Sequence, residues 1–193
     1  MASCGSAGSK NAANCVQNTA STTSDTVAEI CFTSGQNSCT SGTCDASGTC
    51  YTAPVNFANT STGATGTIQT WTVPTTGTYT IDAYGAQGGS GTTYTGGLGA
   101  RIKGDVALTA GAVLKILVGQ QGGTNASYKA GGGGGGTFVT TSTNTPLIIA
   151  GGGGGGGGNS SPANGQSGLT GTSGGTGSTG VYAGGAGGAG WQC

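Results

Sequence analysis

Forty-six of the 193 residues are glycine, and most of them fall in the C-terminal half. Residues 131–136 and 151–158 are unbroken glycine runs, and a loose Gly-X-X tract follows Asn164. Helix is excluded there, because each interior glycine costs about 1 kcal/mol relative to alanine. No large side chains are present to build an ordinary core. Such backbones can still order in the extended polyproline-II geometry, hydrogen-bonding sideways to each other. Missing side chains then allow close approach. The chain is expected to be a structural or recognition scaffold and not an enzyme.

The tail has a phase. From Gly165 it divides as GQS-GLT-GTS-GGT-GST-GVY-AGG-AGG-AGW, with Gly165, Gly168, Gly171, Gly174, Gly177 and Gly180 holding one position of the triplet. Ala183, Ala186 and Ala189 continue that position with a small residue. A polyproline-II helix has roughly three residues per turn, so the smallest residues line one edge. A flexible Gly-Ser linker is the competing reading of the same composition. Collagen fits poorly, because proline is almost absent and Pro162 precedes the repeat.

Charge excludes several partners. Five basic and five acidic residues balance to zero, and only 5% of the chain is charged. That leaves no electrostatic footprint for nucleic acid or an anionic membrane surface. No apolar run approaches the roughly 20 residues a membrane span requires. Residues 2–30 lack the basic start and apolar stretch of a signal peptide.

The seven cysteines point to an oxidising, extracellular or cell-surface location. Cys4, Cys15, Cys31, Cys39, Cys44 and Cys50 crowd the first fifty residues, and Cys193 ends the chain. A zinc site is the competing reading, but the chain has no CxxC pair and no histidine. Disulfides are therefore expected, with pairing left open, since six cysteines alone allow fifteen connectivities. The odd total leaves one thiol free or bridged to another chain; Cys193 is the natural candidate, the alternative being that it pairs with Cys4 and releases a different one.

Composition divides the chain into a Cys-rich, disulfide-stapled segment (1–50) and a glycine-rich β-sandwich with polyglycine helices (51–193). In the first, only 27–32 is appreciably apolar. Period-two alternation begins at 67–73 and 78–84, with Tyr79, Ile81 and Ala83 on one face and a turn at 74–77. Further strands are expected at 100–108, 113–118, 137–141 and 147–150. The expected class is all-β, an antiparallel sandwich from which the glycine runs emerge as insertions.

Four strings occur in order: GTIQTWTVPTTGTYTIDAYGAQGG at 66–89, LKILVGQQG at 114–122, AGGGGGGTFV at 130–139 and PLIIAGGGGG at 146–155. Together they resemble the glycine-rich extracellular region of the anaplastic lymphoma kinase and leukocyte tyrosine kinase receptors, over about residues 60–160. The resemblance implies a jelly-roll sandwich similar to tumour necrosis factor, carrying a bundle of polyglycine-II helices. In those receptors the region contributes to recognition of small helical protein ligands. This chain departs from them in its N-terminal cysteine segment and in stopping at Gly190-Trp191-Gln192-Cys193. Fold and extracellular location carry over; receptor activity and ligand-binding residues do not.

No catalytic constellation stands out. Histidine, the commonest general base, is missing. Asp25, Glu29, Asp45, Asp82 and Asp105 are scattered singly, and Asp82 is expected to point outward from its strand. GTGSTG at 175–180 follows no strand, so it is not a dinucleotide site. No cofactor, catalytic residue or metal ligand is expected. Asn59, Asn125 and Asn159 begin glycosylation sequons, each in an expected loop. Trp71 and Trp191 are expected to pack.

Three functions fit: an extracellular structural or adhesive subunit self-associating into a homo-oligomer or filament, a monomeric recognition domain for a protein or glycan ligand, and an ice- or surface-binding protein. For the first, residues 1–50 are expected to contact an adjacent subunit by strand addition to a sheet edge left open at Cys193. Deleting them is expected to abolish polymerisation while leaving the sandwich folded.

Overall fold

A computed structural model of the chain describes residues 27–34, 43–44, 50–51, 55–59, 65–125, 129–158, 163–177 and 185–192. Among them there is no helix. The strands are β1 (Val27–Ser34), β2 (Thr43–Cys44), β3 (Cys50–Tyr51), β4 (Val55–Ala58), β5 (Gln69–Thr72), β6 (Gly77–Tyr84), β7 (Arg101–Leu108), β8 (Val113–Leu117), β9 (Thr124–Asn125), β10 (Ala130–Gly131), β11 (Thr137–Thr141), β12 (Pro146–Ala150) and β13 (Trp191–Gln192). All pairings are antiparallel. The first sheet runs β2-β3-β1-β6-β7, with β4 also on β1; the second runs β13-β12-β11-β8-β5. The expected all-β, antiparallel class is observed.

Alternation in the sequence decides which faces meet. Tyr79, Ile81 and Ala83 of β6 are buried, as their period-two spacing requires, with Ile102 and Leu108 of β7 beside them. They share one core with Leu114 and Ile116 of β8, Val139 of β11 and Ile148 of β12. Trp71, expected to pack, sits half-buried against this core, its ring edge-on to Tyr79 with centroids 5.5 Å apart. The 74–77 turn is fastened by the Tyr79 hydroxyl, which donates to the Thr75 carbonyl at 2.8 Å. Gly111, at φ 82°, makes the tight link from β7 to β8 that a residue with a Cβ adopts at a cost.

Two expectations about the chain ends change. The apolar 27–32 stretch was not assigned a strand, yet β1 spans it and pairs with β6 over six residues, from Ala28 opposite Ala83 to Thr33 opposite Thr78. β1 is thus an inner strand, with β6 on one side and β3 and β4 on the other. Deleting residues 1–50 would strip β6 of that ladder, so the sandwich would not survive intact. At the other end, Trp191 and Gln192 pair with Ile149 and Ile148, supplying an edge strand where an open edge was expected.

Candidate functional site

The glycine segments continue the two sheets. Segment 85–91 leaves β6 and 94–100 enters β7, while 119–123 leaves β8, 131–136 enters β11, 151–158 leaves β12 and 185–190 enters β13. Their main-chain hydrogen bonds to one another recur every third residue, and the side chains of Gln87 and Ser90 add two bonds to Gly96. Gly85, Gly88 and Gly91 donate to the carbonyls of Ala100, Gly97 and Tyr94. Gly132 and Gly135 donate to Gly123 and Gln120, and Gly165 and Gly168 to Thr95 and Leu98.

Segment 151–158 is the axis, with all eight glycines buried. Gly153 and Gly156 donate to Ala86 and Gly89, and Gly154 and Gly157 to Gln166 and Ala163. Its carbonyls accept from Gly97 and Ala100, from Gly185 and Gly188, and from Gly131 and Gly134. Five neighbouring segments therefore surround this one, shared among its three triplet positions: 85–91 and 131–136 meet Gly153 and Gly156, 94–100 and 163–166 meet the Gly151-Gly154-Gly157 position, and 185–188 meets Gly152 and Gly155. Backbone groups that no side chain can cover satisfy one another in this way. The adjacency expected among the runs at 131–136, 151–158 and the tail is present.

In the tail the packed edge is only partly the expected one. A Cβ on Gly165 or Gly168 would overlap the carbonyl of Gly154 or Gly151, as the triplet phase predicts, but Gly171 has open space around it. Further on, Gly187 and Gly190 are the buried positions and Ala186 is exposed, so the phase has moved by one residue. Ala186 therefore stands on the exposed side of the tail, and Ala189 is half-buried.

Thr137 joins the sheets where they give way to glycine. Fully buried, its hydroxyl donates to the Tyr84 carbonyl at 2.6 Å and accepts from the Gly119 amide at 2.9 Å. Nothing in the sequence marked this threonine among so many others.

Asp82 is not outward and solvated; it is 1% exposed. Arg101, opposite Tyr84 on the neighbouring strand, clamps it with Nε at 3.0 Å and Nη2 at 2.6 Å. The guanidinium also lies over the Tyr84 ring, 5.1 Å from its centroid. A bidentate clamp supplies charge-assisted hydrogen bonds that offset desolvation of the carboxylate. Replacing Arg101 with leucine is expected to cost about 2 kcal/mol, below the roughly 3–5 kcal/mol of a fully buried broken pair because Arg101 keeps 42% of its side chain exposed. Adding Asp82→Asn should recover most of that loss, read from urea midpoints of the single and double variants.

Beside the bundle lies an apolar row on the outer face of the second sheet. Leu117, Phe138 and Ile149 occupy successive register positions across β8, β11 and β12. Phe138 is 38% exposed, and Ile68, just before β5, is 57% exposed. Leu117 and Phe138 of this row line a groove of about 410 Å³ together with Gly119, Gln120 and Gly133–Gly136. The neighbouring row, Thr70-Lys115-Thr140, is polar.

Of the cysteines, Cys31 lies in β1 opposite Thr80, while Cys44 and Cys50 lie opposite each other in β2 and β3. Cys4, Cys15, Cys39 and Cys193 fall outside the described residues, as does Asn159. Asn59 follows β4 in a loop, as expected, whereas Asn125 lies in the short strand β9 opposite Ala130. Glu29 takes the register position opposite Asp82; Asp25 and Asp45 are outside the described residues. No known family model matches the chain.

Proposed function

We propose that this protein is an extracellular structural or adhesive subunit that assembles with copies of itself into a surface fibre or matrix. The observation that carries this reading is segment 151–158, eight buried glycines cross-bonded to five neighbours. A body held by main-chain hydrogen bonds is stiff and presents little side-chain chemistry, which suits a building block better than a catalyst. The three-residue bonding period and the confinement of positive φ among the described glycines to Gly111 support reading the segments as polyglycine-II helices. The jelly-roll arrangement suggested by the receptor resemblance, and a disulfide-stapled N-terminal segment, belong to the same reading. Self-association uses the apolar row at Ile68, Leu117 and Phe138. It carries no charge, and a chain of zero net charge raises no long-range repulsion between copies.

Electron microscopy of the purified full chain tests this: filaments or ordered sheets are expected. Uniform monomeric particles at all concentrations would overturn it. The alternative, a monomeric recognition domain for a protein or glycan, is favoured by the groove, which is large enough to seat a short extended segment.

A further inference from the structure

The antiparallel pairing of β2 with β3 sets Cys44 opposite Cys50 and Thr43 opposite Tyr51. Residues 45–49, DASGT, lie between them in the sequence. Directly opposed residues in such a pair have Cα atoms about 4.5 or 5.5 Å apart. Both separations fall inside the roughly 4.4–6.8 Å that a disulfide spans. Cys31 has no comparable position among the described residues. On β6 it faces Thr80, and on its other edge the pairing passes from Val55, at Ile30, to Tyr51, at Thr33.

We infer that Cys44 and Cys50 form an intrachain disulfide closing the β2–β3 hairpin at the edge of the first sheet. The register selects this pair from all the connectivities that spacing alone leaves open. The bond forms between the two sulfurs by thiol–disulfide exchange: each thiol releases its proton, and two electrons reduce the disulfide of a small-molecule or enzyme oxidant to two thiols. The staple fixes β2, a two-residue edge strand with little ladder of its own, onto β3. The remaining cysteines, Cys4, Cys15, Cys31, Cys39 and Cys193, are odd in number, so at least one of them stays unpaired within the chain. The inference does not depend on self-assembly.

The full-length oxidised protein is blocked with N-ethylmaleimide, left unreduced and cut on the N-terminal side of aspartate. Cleavage before Asp25, Asp45 and Asp82 puts Cys31, Cys39 and Cys44 in fragment 25–44 and Cys50 alone in fragment 45–81. The expected product is the two fragments joined, with tandem mass spectrometry placing the link at Cys44. Cys50 bearing maleimide, or linked to Cys31, Cys39 or any other cysteine, overturns the inference. As a second arm, Cys44→Ser should raise maleimide labelling at Cys50 from absent to near stoichiometric, and Cys50→Ser should do the same at Cys44. If either variant fails to fold, the map of the unmodified chain decides alone.

Discussion

Replacing Gly154 with valine is expected to unfold the glycine bundle. A Cβ at that position would lie well inside van der Waals contact with the Gly185 carbonyl, and that carbonyl belongs to another packed backbone that cannot swing aside. The same residue accepts from Gly97 and donates to Gln166, both at 2.8 Å. Overpacking costs about 1–3 kcal/mol, and each buried main-chain group left unsatisfied costs about 1–3 kcal/mol more. A loss on the order of 5 kcal/mol follows, comparable to the roughly 5–15 kcal/mol total of a typical domain. Gly133→Ala is the matched control: the nearest atom to its Cβ would be the Gly153 carbonyl oxygen, at an ordinary 3.7 Å. Thermal and urea unfolding should show the valine variant unfolded or severely weakened and the alanine variant within about 0.5 kcal/mol of wild type. Equal midpoints for the two would contradict the packing described.

Phe138→Asp combined with Ile68→Asp is expected to abolish assembly while leaving the monomer folded. Both side chains are substantially exposed, at 38% and 57%, so the substitutions bury no charge in the free subunit. At a contact between copies they would place unpaired carboxylates opposite apolar surface, which costs several kcal/mol and therefore orders of magnitude in affinity. Sedimentation and electron microscopy would read the loss, with circular dichroism confirming the fold. Persistence of filaments would move the contact elsewhere on the molecule. A truncation of residues 1–26 would then ask whether the N-terminal segment mediates assembly, because it spares β1.

Much of this architecture follows from local pattern. Strands at 77–84, 113–117, 137–141 and 146–150 lie where period-two alternation or a short apolar run demands them, because side chains on a strand alternate faces. The glycine runs could not be helix and could not form a side-chain core, so lateral main-chain bonding was the remaining way to order them. The close approach at Gly165 and Gly168 was legible in the triplet phase for the same reason.

Other features depended on what each residue meets in space. Asp82 was expected in solvent because a lone carboxylate on a strand usually is; Arg101, nineteen residues later in sequence, reverses that by reaching across the ladder. β1 lies in a segment rich in serine, threonine and asparagine, and a place beside β6 makes it an inner strand. The phase shift at Ala186 shows the same limit. A triplet repeat specifies that one edge is small, but glycine and alanine are both small, and only the neighbouring backbone decides which one must lack a Cβ. The inferred cysteine pairing is of this kind too: spacing alone leaves every combination open, whereas the β2–β3 register sets Cys44 opposite Cys50. Local pattern sets period and secondary structure because those are properties of adjacent residues. Partner choice is a property of distance in three dimensions, and for a chain with so few distinctive side chains it belonged to the tertiary structure.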